Sequence, residues 1–292
     1  MSKIALGTVQ FGVNYGVSST TGQVQPTEVA KILSYASSQN ITLLDTAPSY
    51  GNSEQVLGNV GINDFNIVTK TRHFDQAVIN DNSAAFLVND LNESLKSLKQ
   101  RSVYGVLVHN ADDLLKPGAN KIISQLKDFK EQGIISKIGV SIYTSGQLQS
   151  VMDNMNIDLV QLPVNILDRR LFDTGMFKKL SLQGVEVHAR SIFLQGLLLM
   201  SKDSRPKYFS RWDSLWKLWH EWLFDNKLTA LEATVRHAIS VPEISKVLVG
   251  VDSKEQLQGI VQAANGSIPT IPEILLTDDT ALLNPVSWKI NT

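Results

Sequence analysis

Short runs rich in Val, Ile and Leu alternate along this chain with amphipathic stretches of about ten to fifteen residues, the pattern of a parallel sheet joined by helices. The apolar runs predict strands at 4–9, 41–46, 66–70, 103–109, 135–141, 158–164, 185–191 and 246–250. Pro26-Thr27-Glu28 places a proline and an early acid where a helix should open. Residues 83–99 carry Phe86, Leu87, Leu91, Leu95 and Leu98 at three- and four-residue spacing, which predicts one apolar stripe. Gly133 should end a helix over 119–132, and further helices are expected at 144–154, 174–183, 227–239 and 254–264. Eight strands, each followed by a helix, predict an α/β fold of the (β/α)8 barrel type, a single domain over residues 1–292. The rival is an open doubly wound sheet, which should carry a G-x-G-x-x-G turn after its first strand. Gly12-Val13-Asn14-Tyr15-Gly16 lacks that spacing. Residues 199–226 are irregular, and the proline-bearing tail 266–292 is expected to wrap the barrel.

Composition narrows the function classes. The chain has 292 residues, 43% hydrophobic and 19% charged, enough to bury a large core. A net charge of −1 with scattered basic residues gives no footprint for nucleic acid or anionic lipid. The absence of cysteine excludes disulfides and thiolate chemistry. The opening MSKIALGTVQFG has no apolar signal segment, and no apolar run approaches the roughly 20 residues of a membrane span. The expectation is a cytoplasmic protein without a membrane partner, monomeric or homo-oligomeric. His188, His220 and His237 show no metal-ligand spacing, so no zinc site is expected.

In barrel enzymes the chemistry sits where strands run out at their C-terminal ends. Asp45 ends the second predicted strand, Tyr50 follows in its loop, Lys70 ends the third and His109 ends the fourth. Singly, each has a plainer reading as a cap, a rim charge or a packing residue. Together on neighbouring strands they suit protonation of an oxygen: an ammonium lowers a nearby phenol's pKa, a carboxylate holds that ammonium, and a histidine polarises a carbonyl.

The block Asp45-Thr46-Ala47-Pro48-Ser49-Tyr50-Gly51-Asn52-Ser53-Glu54 resembles the D-T-A-x-x-Y-G-x-S-E motif of the aldo-keto reductase family. The likeness runs from Leu6-Gly7-Thr8 through Val249-Gly250. It implies an NAD(P)H-dependent reduction of an aldehyde or ketone by a Tyr50, Lys70, His109 and Asp45 tetrad. Tyr50 would be the general acid, and no metal would be needed. Gly139-Val140-Ser141 resembles the block whose serine binds the nicotinamide carboxamide, although Ile142 replaces the usual asparagine. By the same resemblance Gln161 is the second carboxamide partner. Ser191, Gln195 and Gly196 fall in the loop that covers the pyrophosphate, though Gln195-Gly196 also reads as a plain turn.

After the eighth strand the resemblance carries over Gly250, Ser253 and Gln256, but the arginine that binds an adenosine 2′-phosphate is absent, and Ile260 replaces an expected asparagine. NADPH is the family default. Asp252 would repel a phosphate, Lys254 could compensate, and NADH stays open.

Phe11 and Tyr15 follow the first strand and are candidates to line a substrate pocket. Trp212, Trp216, Trp219 and Trp222 share one helical face, which reads as packing on the barrel or as a substrate wall, lid or subunit interface. Arg205, Lys207, Tyr208 and Arg211 nearby could meet an anionic substrate. Two other functions compete: a Schiff-base lyase or aldolase through Lys70, and a non-catalytic nucleotide-binding subunit. Asp45 argues against the first, since a Schiff-base lysine must lose its proton.

Overall fold

The computed structural model describes residues 2–17 and 22–290, so residues 1, 18–21 and 291–292 of the expected 1–292 domain lie outside the described residues. The apolar runs form β1 (Ile4–Gly7), β2 (Leu43–Asp45), β3 (Asn66–Lys70), β4 (Val103–Val108), β5 (Ile135–Ser141), β6 (Leu159–Pro163), β7 (Glu186–Arg190) and β8 (Lys246–Gly250). Each pairs in parallel with the next, and β8 returns to β1, so the sheet closes in chain order. This is the (β/α)8 barrel that the alternation predicts.

Five strands are shorter than expected, and in two of them, β1 and β2, two residues are lost at one end for a local reason. Thr8 turns both its N–H and its hydroxyl to the Asp45 carbonyl, and Val9 opens a helical turn, which stops β1 at Gly7. The N–H of Ile41 goes back to Ala36 at the end of a helix, so β2 starts only at Leu43.

The helices are α1 (Val9–Gly12), α2 (Pro26–Ser38), α3 (Ser53–Val60), α4 (Asp81–Leu98), α5 (Asn120–Glu131), α6 (Ser145–Asn154), α7 (Met176–Leu182), α8 (Asp213–Asp225), α9 (Ala230–Ser240), α10 (Lys254–Ala263) and α11 (Thr280–Leu283). Helix α3, at eight residues, is too short to show in the periodicity. In α4, Asn80 and Ser83 cap each other's backbone N–H, and Leu87, Leu91, Leu95 and Leu98 face the core. Phe86 lies off that stripe and is 44% exposed, its ring edge-on to Phe74.

Three apolar layers result. Ala5, Leu43, Val68, Leu107, Leu159 and Leu248 fill the barrel interior. A larger layer lies between strands and helices. A third gathers Trp216, Trp219, Trp222 and Phe209 with Leu194, Leu197 and Leu198 from the chain after β7, and with Leu275, Leu282 and Leu283 from the tail. The tryptophan face therefore packs, as the plainer reading of the sequence had it. Among the described residues, no helix is long and apolar enough to cross a membrane.

Candidate active site

Side chains alternate faces along a strand, so residues two apart share one. Every residue of the inner apolar layer is therefore followed, two positions on, by a residue at the barrel mouth. Leu43 leads to Asp45, Val68 to Lys70, Leu107 to His109, Leu159 to Gln161 and Leu248 to Gly250. The same step places Ser141 on β5 and Arg190 on β7. The Tyr50 loop is seated by two interlocked glycines. A Cβ on Gly12 would stand 1.7 Å from the Tyr50 carbonyl oxygen, and one on Gly51 would stand 2.4 Å from the Gly12 carbonyl oxygen.

The rest of the Asp45–Glu54 block ties strand ends together. The Ser53 hydroxyl donates to the Thr8 carbonyl at 2.8 Å, and the Thr69 hydroxyl donates to Glu54 at 2.6 Å. Both residues are buried, so their part is to fix β1, α3 and β3 around the reactive groups.

Asp45 is the hub. Both its oxygens accept from the Lys70 ammonium at 2.7 Å, and Oδ1 also accepts from the Gln161 amide at 2.7 Å. Lys70 donates further to the Thr46 carbonyl at 3.0 Å and sits 4.8 Å from the centre of the Tyr50 ring. It is 2% exposed, and burial alone would drive off its proton, but Asp45 and Tyr50 outweigh burial and raise its pKa.

Tyr50 corrects the expectation of a lowered phenol pKa. Burial raises it, and the Lys70 charge opposes this without reversing it. The phenol thus keeps its proton through neutral pH. His109 stands edge-on to Tyr50 with ring centres 6.2 Å apart, and its pKa is lowered to about 3 by burial, Lys70, His73 and Arg190. It is a neutral imidazole at working pH, able to donate one N–H to an oxygen without bringing a charge.

A cavity of about 930 Å³ opens over these groups. Tyr50, His109, Asp45, Ser141, Gln161, Ser191, Gln195, Gly196, Gly250, Gln256 and Tyr15 all border it. Ser141 and Gln161 are register partners on β5 and β6, which sets them side by side. Tyr15 accepts a hydrogen bond from Gln195 at 3.1 Å. Ser191, Leu194 and Gln195 all hold positive φ, a costly conformation for residues with side chains. It tucks the β7 loop around the mouth.

Two expected residues lie elsewhere. Phe11 is fully buried in the layer between strands and helices, because α1 turns its side chain away from the mouth. Ser253 does not border the cavity; its hydroxyl caps α10 by accepting the Gln256 N–H. Arg205 and Arg211, proposed from sequence as anion contacts, do not border it either. Arg205 lies over Trp216 and Arg211 over Tyr208 and Trp212. None of the tryptophans borders it.

The sequence reading passed over Tyr143 and Arg190 as site residues, and both line the cavity. Arg190 also ends its strand, but Glu186 and His188 within β7 hide the contrast that singles out Asp45, Lys70 and His109.

Three cavity-lining residues carry buried polar atoms with no protein partner among the described residues: Gln10 Oε1, His109 Nδ1 and Asp252 Oδ1. Such atoms usually find a partner, so this cavity is built for a polar ligand. Ser141 and Gln161 offer hydroxyl and amide groups on one side of it. Gly250, with the Gln10 side chain against it, and Gly259 border it near Asp252, Glu255 and Gln256 on the other. That set fits a dinucleotide.

A parallel eightfold barrel thus carries a tyrosine, a paired lysine and a neutral histidine around one cleft at its mouth. Residues 3–270 match the model of the aldo/keto reductase family, and the chain belongs to that family. It is 26% identical over 179 residues to the aldo-keto reductase YhdN of Bacillus subtilis, a match covering 58% of this chain and 52% of that protein, about half of its length. The fold is also similar to that of the aldo-keto reductase AKR11C1 from Bacillus halodurans in its holo form, with a TM-score of 0.73 and 22% identity over 94% of this chain and 90% of the other. The glycerol dehydrogenase AKR11B4 from Gluconobacter oxydans gives 0.71 and 18% over 100% and 94%.

Proposed function

We propose that the chain works as one barrel domain that reduces an aldehyde or ketone to an alcohol with a nicotinamide cofactor. The observation that carries this is the junction of Tyr50, Asp45 and the buried Lys70 behind them, with His109 alongside, at one cavity. Asp45 holds Lys70 as an ammonium. Lys70 orients the Tyr50 hydroxyl and stabilises the phenolate left once its proton has gone to the substrate oxygen. His109 donates an N–H to that oxygen and sets the carbonyl's direction. The bound cofactor supplies the hydride. Ser141 and Gln161 would hold its carboxamide, Ser191, Gln195 and Gly196 its phosphates, and Gly250 and Gln256 its adenosine end.

The adenosine side favours NADH over NADPH. Asp252 and Glu255 line the cavity there, and Lys254, the expected compensating cation, does not. The unpartnered Asp252 Oδ1 is an acceptor, suited to a ribose 2′-hydroxyl and not to a 2′-phosphate. Burial raises the Asp252 pKa, and a hydrogen bond from the Gln256 side chain opposes that rise without reversing it. Fluorescence titration is expected to give a Kd for NADH at least about tenfold below that for NADPH, and Asp252→Ser should narrow the gap. Equal affinities would refute the cofactor assignment. Binding of neither cofactor would refute the reductase.

The lyase reading loses its chemical basis. A Schiff-base lysine needs a free amine, and Lys70 is held protonated by the Asp45 carboxylate at 2.7 Å. Borohydride is therefore expected not to trap a carbonyl substrate on Lys70.

A further inference from the structure

The cavity's charges are unevenly used. Asp45 is occupied by Lys70 and Gln161, and Asp252 and Glu255 belong to the β8 and α10 side. Arg190 is the one arginine or lysine among the described residues that borders the cavity, and it pairs with no carboxylate there. Its guanidinium donates to the Ile142 carbonyl at 2.9 Å and to the Ser191 hydroxyl at 3.3 Å, with its plane over the Tyr143 ring at 4.3 Å. These contacts fix the fork but use only part of its five N–H donors. A half-buried guanidinium held rigid and left without an anion is costly unless a ligand completes it.

Arg190 sits at the reacting end. It ends β7 beside Pro163 of β6, two residues along the barrel face from Gln161. Its charge is felt at Tyr50, Tyr15 and His109.

We infer that Arg190 anchors an anionic group on the carbonyl substrate, a carboxylate held through the guanidinium fork, which makes the substrate class an aldehyde or ketone that also carries an acid. This rests on the reductase reading for the carbonyl, while the anion site itself rests on Arg190 alone. The planar fork matches a carboxylate in two parallel bonds, a match that a lysine ammonium does not reproduce.

The test has two arms. In calorimetry, the protein with and without NADH is titrated with succinate and with succinamide. Succinate should bind at least about tenfold more tightly, Arg190→Gln should abolish that preference, and Arg190→Lys should recover part of it. In kinetics, kcat/KM for succinic semialdehyde over that for butyraldehyde should fall by about tenfold or more in Arg190→Gln. No succinate preference in the wild type would overturn the inference. So would an Arg190→Gln variant that loses NADH affinity while keeping succinate binding, because the guanidinium would then serve the cofactor's phosphates. Succinate binding without turnover of any aldehyde would uphold the anion site and count against the reductase reading. Turnover of both aldehydes with an equal loss in the variant would do the reverse.

Discussion

Asp45 serves two neighbours at once, and its removal should show in stability as well as in rate. Asp45→Asn leaves the Lys70 ammonium, 2% exposed, without its carboxylate. Breaking a buried pair by removing one partner costs about 3–5 kcal/mol, so urea unfolding should shift by that amount. His109 gives a second residue-level prediction. Its pKa is lowered to about 3, so nuclear magnetic resonance should show its ring neutral at pH values well below the ordinary 6.5. A titration step near 6.5 would contradict the burial and the cations that surround it. The identities of Asp45, Lys70 and His109 were legible because each is a polar residue ending an otherwise apolar strand. The direction of the Tyr50 shift was not, because sequence shows the neighbouring cation but not the burial that outweighs it. The burial of Phe11 was hidden for a similar reason: it depends on a single helical turn at 9–12 that replaces the end of a predicted strand.

At the level of elements, α8 does more than cover the barrel. The Trp219 indole donates to the Leu198 carbonyl at 3.3 Å and stacks on Trp222, so the helix braces the chain that follows the strained β7 loop. Trp219→Ala should cost about 3–5 kcal/mol in denaturant unfolding. It should also weaken cofactor binding by loosening Ser191, Gln195 and Gly196.

The opposite end of β7 holds a stabilising cluster that no motif announced. Glu186 accepts from Tyr104 at 2.7 Å and pairs with His188 at 2.8 Å and with Lys137. Burial alone would raise its pKa, but these partners lower it to about 2 from 4.5. A folded-state pKa below the unfolded value contributes stability above 4.5, and that contribution is lost as pH falls through 4.5 toward 2. The shift corresponds to roughly 3 kcal/mol. Glu186→Gln should therefore unfold more easily at neutral pH and show a shallower loss of stability in acid. The partners lie on β4, β5 and β7, so only the closed sheet brings them together.

At the scale of the molecule, topology was the most legible feature, because eight apolar runs separated by helical stretches leave few ways to bury every strand. What escaped the sequence was the sharing of charge around the mouth: Arg190 facing the cavity without a carboxylate, Arg205 and Arg211 turned onto tryptophans, and Asp252 short of a donor. Each depends on where side chains turn once the chain has folded, which the order of residues alone does not show. The central claim is that Tyr50, kept protonated beside Lys70, delivers the proton in a nicotinamide-dependent carbonyl reduction. The most direct measurement is kcat/KM for NADH-dependent aldehyde reduction by the wild type and Tyr50→Phe across pH. The account predicts a wild-type rate that holds through neutral pH and falls only above the ordinary phenol value of 10, with Tyr50→Phe slower by about 10²–10⁴. A Tyr50→Phe variant that reduces aldehydes as fast as the wild type would contradict it.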